Sequence, residues 1–289
     1  MSILLLGDSH LDIFRHIPGT TRFDFSQCEL VLFTTKRFLD DTDTDLWSKL
    51  TPWFENNKAD VLLITAGEID LRAHFWRHLP RHYKTQTDIE AFVKSQAEKF
   101  YNKLCGISDS YGIKKIIVWG SPTAGEKAVY NSHYPFSGSS KTRNILTHMW
   151  NREFSKYVDL DNRFSLCSAF YHFIQDDYNT MNTSPSHDGV HWQNEVGTTF
   201  WDSCIKLALN NSGLIVGPKW TSMVKDNFDI IENQSNGRFK YDTWAKTSQL
   251  LQTLDSTVVN IKEQAYTFVK AENRLLLPDT YTELGLEKI

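Results

Sequence analysis

ILLLGDSH, residues 3–10, sets four apolar residues directly before a glycine, an acid, a serine and a histidine. Four consecutive apolar positions without alternation predict a strand covered on both faces, the pattern of a parallel sheet between helices. Most strand ends are bland turns. This one presents a hydroxyl beside an imidazole. Similar apolar runs recur at ELVLF (29–33), DVLLIT (60–65) and KKIIVWG (114–120), and more weakly at RFSLCSAF (163–170). Helix-like stretches separate them at about 43–57, 86–110, 140–158 and 194–210. Strand and helix in alternation predict a doubly wound α/β sandwich.

Functional groups in such sheets gather at the carboxyl ends of the strands. The segments following the predicted strands are polar and glycine-bearing: Gly7-Asp8-Ser9-His10, Gly67-Glu68-Ile69-Asp70, Gly120-Ser121-Pro122-Thr123, and SHDGVHWQNEVG at 186–197. A serine hydroxyl is a poor nucleophile until a base takes its proton, and an imidazole is a better base when a carboxylate fixes its tautomer. Ser9, His191 and Asp188 supply those three parts. Each short motif also has a plain structural use, because Asp8, Ser9 or Asp188 can cap a helix. The pairing of both motifs at opposite ends of one α/β pattern favours the chemistry.

GDSH (7–10) resembles the nucleophile block of the SGNH, or GDSL-type, esterases and acyl-hydrolases, and DGVH (188–191) resembles their final Asp-x-x-His block. GEID (67–70) stands where that family has Gly-x-Asn-Asp. The resemblance spans about residues 1–212. It implies a flavodoxin-like three-layer sandwich with five parallel strands. It also implies cleavage or transfer of an O-linked acyl group, with Ser9 as nucleophile, His191 as base and Asp188 as its partner. The family holds the oxyanion with the nucleophile's own amide, a glycine amide after the second strand and the asparagine of the third block. Here Ile69 replaces the asparagine, and no glycine lies between Gly19 and Gly67. Arg72, supported by Glu68 or Asp70, is the candidate replacement donor, with His10 and His74 as further oxyanion or substrate contacts.

The segment LRAHFWRHLPRHYK (71–84) is basic and aromatic. His74, His78 and His82 have helical metal-ligand spacing, but Pro80 interrupts a helix there and no carboxylate completes a set, so no metal or cofactor is expected. A basic lid with Arg77 toward an anionic substrate, or a plain surface loop, both fit. The second long loop, 120–140, offers His133 and Tyr134 for a sugar or an acyl chain.

The chain has 289 residues and a net charge of −4, with 31 basic against 35 acidic side chains. That balance gives no pull toward nucleic acid. No run reaches the ~20 apolar residues of a membrane span, and the N-terminus has no secretory pattern. Four scattered cysteines fit free thiols in a cytoplasmic setting. All ten histidines precede residue 213. Beyond it, a 3-4 apolar stripe through Leu251, Leu254, Val258, Ile261, Ala265 and Phe268 predicts a helical extension, packed on its own domain or pairing with a second copy. The expectation is therefore a catalytic domain over 1–212 and a connector with a C-terminal helix over 213–289. The reaction expected is hydrolysis of an O-acyl ester, with O-acetyl on a carbohydrate as substrate. Two other readings stay open: an acyltransferase to a sugar using the same triad, and a non-catalytic glycan-binding or assembly protein.

Overall fold

The computed structural model describes residues 2–25, 33–74, 86–124, 140–158, 160–168, 170–174 and 190–192, together with Gly197, Trp201, Ile205, Ala208 and Leu209. Five parallel strands form one sheet: β1 (Ile3–Leu6), β2 (Thr20–Arg22), β3 (Val61–Ile64), β4 (Lys115–Trp119) and β5 (Phe164–Cys167). Their spatial order is β2-β1-β3-β4-β5. This is the flavodoxin-like order, with the topological switch between β1 and β3. The register pairs Leu6 with Ile64, Ile64 with Val118, and Trp119 with Cys167, which brings the carboxyl ends of these strands to one edge.

Successive residues of each strand feed opposite layers. Leu4, Leu6, Leu62, Ile64, Ile116, Val118, Phe164 and Leu166 pack with Phe38 of α1 (Thr35–Leu39) and with Leu46, Leu50 and Phe54 of α2 (Thr44–Asn56). The same cluster takes in Phe100 and Leu104 of α3 (Gln86–Tyr111), and Trp150 and Phe154 of α4 (Ser140–Val158). Ile3, Leu5, Val61, Leu63, Ile117, Trp119 and Cys167 face the other way, against Leu11, Phe14, Phe173, Trp192, Trp201 and Ile205. Burial on both faces explains why the strands read as unbroken apolar runs. The predicted helices at 43–57, 86–110 and 140–158 are present as α2, α3 and α4.

One strand differs from expectation. The second strand of the sheet is Thr20–Arg22, which pairs in parallel with β1 at the sheet edge. It is short and half-buried, so it needs only one partner and tolerates Thr-Thr-Arg. Residues 29–32 of the expected ELVLF strand lie outside the described residues, and Phe33 is buried in the core without strand pairing. The C-terminal extension, 213–289, also lies outside them, as do most of 194–210. No helix among the described residues is long and apolar enough to cross a membrane.

Candidate active site

β1 ends at Gly7 because nothing larger fits: a Cβ there would come within 2.6 Å of the Thr65 methyl and 2.7 Å of its carbonyl oxygen, at the end of β3. The chain then turns into a short 3-10 helix, Ser9–Phe14. Asp8 caps that turn, its Oδ1 accepting from the His10 amide at 3.0 Å. The turn leaves Ser9 exposed at the carboxyl edge while Leu11 and Phe14 enter the core.

Ser9 Oγ lies 2.7 Å from His191 Nε2, across 182 residues of sequence. Two anchors place that histidine. Trp192, next in the chain, is buried against Trp119 and Phe173. The carbonyl of Val190, the preceding residue, accepts from His10 Nε2 at 3.2 Å. The His10 ring also stacks on the His191 ring, with centroids 5.1 Å apart and planes at 23°. His10 therefore holds the 190–192 segment from its backbone and from its ring face.

His10 is itself fixed by Asp8, whose Oδ1 is 2.8 Å from His10 Nδ1. A carboxylate and a carbonyl are both acceptors, so both ring nitrogens of His10 carry protons and the ring is an imidazolium. Burial alone would push its pKa down. The charge and hydrogen bond of Asp8, the charge of Glu68 and the bond to Val190 outweigh that and raise it to about 9. Burial would likewise raise the Asp8 pKa, but the charge and hydrogen bonds of His10 hold it below the ordinary carboxylate value. Asp8, His10 and Glu68 bring their donor atoms within 4.8 Å of one another. An imidazolium has no lone pair to offer a metal, so this cluster is an ion-pair network in the arrangement observed.

Gly67, at φ +108°, lets the chain turn after β3, a conformation that other residues adopt at a cost. Glu68 and Arg72 follow on a wide helical turn that continues through Asp70–His74, and Arg72 Nε donates to Glu68 Oε1 at 2.6 Å with both side chains buried. Asp70 has a different use: its Oδ2 accepts from the Thr35 amide at 2.6 Å, tying the start of α1 to this loop. His74 sits 3.4 Å from Asp70 Oδ1. Ile69, at the position of the resembled asparagine, is buried.

Arg72, Glu68 and Leu71 line a small open recess with Pro122, Thr123, Ala124, Arg143, Thr147 and Val190. Arg143 was not singled out from sequence. It lies in the first turn of α4, 4% exposed, among Thr142, Asn144 and Thr147, which are also buried. The only signal was a helix whose polar residues do not segregate to one side. Burial lowers the Arg143 pKa to about 10, with Glu68 acting to raise it and Arg72 to lower it, so the guanidinium stays charged at neutral pH. Asp188, Arg77, His133 and Tyr134 lie outside the described residues.

No family model and no curated protein matches this chain. A solved structure provisionally described as a platelet activating factor from Streptococcus pneumonia is similar in fold, at 13% identity and a TM-score of 0.46, covering 73% of this chain and 82% of that one.

Proposed function

We propose that the protein is a serine hydrolase of O-acyl esters, with Ser9 as nucleophile and His191 as general base. The contact between Ser9 Oγ and His191 Nε2 at 2.7 Å, on the exposed carboxyl edge of a parallel sheet, carries this reading. Nε2 takes the hydroxyl proton as Oγ attacks the acyl carbon. The alcohol leaves with that proton, and the acyl group stays on Ser9. A water then attacks the ester carbon, giving its proton to Nε2, and the acid departs as Ser9 regains a hydrogen. Accepting at Nε2 requires the neutral ring to keep its proton on Nδ1, and Asp188 is the assigned acceptor for it. The Ser9 amide, at the mouth of the turn, is the assigned oxyanion donor. An O-acetyl group on a carbohydrate is the finer substrate reading, supported by the polar, aromatic-rich character of the 71–84 and 120–140 segments.

The test is covalent labelling by a fluorophosphonate probe. The expected result is one label per chain, located on Ser9 by mass spectrometry and lost in Ser9→Ala. An unlabelled wild-type protein, or labelling that persists in a folded Ser9→Ala, removes the nucleophile.

A further inference from the structure

We propose that Arg22 is a positioning residue for the oxyanion donor: its guanidinium holds the Asp8 carbonyl, and through that one peptide group it aims and polarises the Ser9 amide. The inference rests on the hydrolase reading, in which that amide is the assigned donor.

Covalent geometry is the first argument. The carbonyl of Asp8 and the N–H of Ser9 belong to a single peptide unit, which resonance keeps planar. Whatever fixes the direction of the carbonyl therefore fixes the direction of the N–H. Arg22 Nη2 donates to the Asp8 carbonyl oxygen at 2.9 Å. The Leu11 amide, closing the first turn of the 3-10 helix, donates to the same oxygen at 3.2 Å. A carbonyl oxygen has two lone pairs, and two donors are present for them. The bond from arginine is the shorter one and the charge-assisted one, so it supplies the larger share of the hold.

The span of the contact is the second. The other arm of the guanidinium, Nη1, is ion-paired with Asp12 Oδ1. Asp12 lies within the helical turn Ser9–Phe14. One planar fork thus ties the residue before Ser9 to a residue three beyond it, bracketing the nucleophile. Its stem rises from β2, which is bound to β1 by the pairing of Arg22 with Leu5 and by the Phe23 amide on the Leu5 carbonyl at 3.0 Å. The brace is therefore anchored in the sheet and not in the turn that it holds. An edge strand as short and half-buried as Thr20–Arg22 adds little to the core, and carrying this arginine gives it a use.

Electrostatics is the third. Hydrogen bonds in a chain polarise one another. A cation on the carbonyl oxygen draws electron density from the peptide nitrogen, which makes the N–H a stronger donor. That gain is greatest toward the full negative charge of the tetrahedral intermediate and small toward the neutral carbonyl of the bound ester. The effect therefore falls on turnover and not on substrate affinity.

Two measurements on the full-length chain test this. In the first, the Ser9 amide is followed by NMR in protein carrying isotope-labelled serine, its signal identified by loss in Ser9→Ala. Arg22→Gln should move the amide proton upfield. Arg22→Lys, which keeps the charge without the fork, should move it less, and Asp12→Asn, which leaves the carbonyl bond, least. An unmoved Ser9 signal in folded Arg22→Gln overturns the proposal. This arm needs no ester chemistry, so it stands or falls separately from the hydrolase reading, which an inert wild-type chain would remove. In the second, kcat and KM are measured on p-nitrophenyl acetate. Arg22→Gln should lower kcat by about 10–100-fold, less than outright loss of an oxyanion donor, with KM within about twofold. Arg22→Lys should recover part of that loss, and Asp12→Asn should keep kcat within about threefold of wild type. A lowered Tm with unchanged kcat per folded molecule would make Arg22 a structural tie alone. An Asp12→Asn loss equal to that of Arg22→Gln would place the effect in the ion pair. Either result overturns the proposal.

Discussion

At the amino end of β5, Arg163 donates to Asp161, Asp109, Ser108 and Cys105, and Asp161 also accepts from Tyr101. At the carboxyl end of β1, Asp8 meets His10 with one oxygen, while its Oδ2 is buried without a hydrogen-bond partner among the described residues, as is Glu68 Oε2 nearby. Both clusters are charged, and both sit at the rim of the same sheet. The first is partly open to water, with the Arg163 side chain 33% exposed, and its contacts bind loop to helix. The second is shut away from water and is only partly satisfied. A polar cluster whose groups are matched holds a fold together. One that keeps acceptors and charge in reserve is organised for a reaction or a ligand.

The largest break in that contrast comes from the pair at 2.7 Å. His191→Ala and Ser9→Ala should each reduce ester hydrolysis by on the order of 10⁴-fold or more, and the double variant should lose little beyond either one. Steady-state assays on short p-nitrophenyl esters measure this. Independent, multiplying losses would mean that the two residues do not act as one unit.

His10 comes next. It holds the Val190 carbonyl and the His191 ring face. His10→Gln should lower kcat by about 10²-fold, the scale of a small misplacement of a catalytic group, while KM changes little. It also leaves Asp8 buried without its cation, at a cost of about 3–5 kcal/mol. The pH dependence separates positioning from general damage. The folded-state pKa of His10 is raised from 6.5 to about 9, so its contribution to stability is complete below pH 6.5 and lost as pH rises through about 9. Asp8 is depressed below 3.8, so its share is present above that value and lost on acidification. The Tm gap between wild type and His10→Gln should be widest between about pH 4 and 6.5 and close above pH 9. A gap that stays constant to pH 10 would mean that His10 is not held as an imidazolium.

Much of this end of the molecule was legible in the sequence, for local reasons. Strands β1, β3, β4 and β5 are covered on both faces, and double burial writes itself as unbroken apolar runs. Ser9 and His191 stood out because each follows a glycine-bearing turn in a short motif. β2 did not, since an edge strand with half-buried Thr20, Thr21 and Arg22 leaves no apolar trace. Asp8 read as a helix cap and His10 as an oxyanion or substrate contact, and only folding shows them sealed together. Arg143 was invisible because an arginine in a helix announces its burial only when the opposite wall is known.

Gly7→Ala tests how tightly the serine turn is tied to the sheet. The new methyl would meet both the side chain and the carbonyl oxygen of Thr65, so the ends of β1 and β3 must part. A destabilisation of about 1–3 kcal/mol is expected, with reduced turnover as Ser9 shifts away from His191. Thr65→Ser should restore stability only in part, because the carbonyl contact remains. Denaturant unfolding of the single and double variants checks this, and full rescue would place the strain in the Thr65 methyl alone.

The smallest effect belongs to the matched cluster. Arg163→Ala removes several hydrogen bonds at once, but its side chain is a third exposed and its partners can turn to water. Surface-accessible pairs contribute little, so a loss of about 1 kcal/mol, or roughly 2–4 °C in Tm, is expected. Asp161 gives the sign of its pH dependence. Burial would raise its pKa, but the hydrogen bonds and charge of Arg163 hold it below 3.8, so that contribution is present above pH 3.8 and disappears on acidification below it. Wild type and Arg163→Ala should therefore differ in stability at neutral pH and draw together as the pH falls below 3.8. Turnover per folded molecule should be the same, because the cluster lies at the amino edge while Ser9 lies at the carboxyl edge. If Arg163→Ala lowered kcat as His10→Gln is expected to, the two rims would be coupled through β4 and β5, and the division between a matched cluster that holds and an unmatched one that acts would fail.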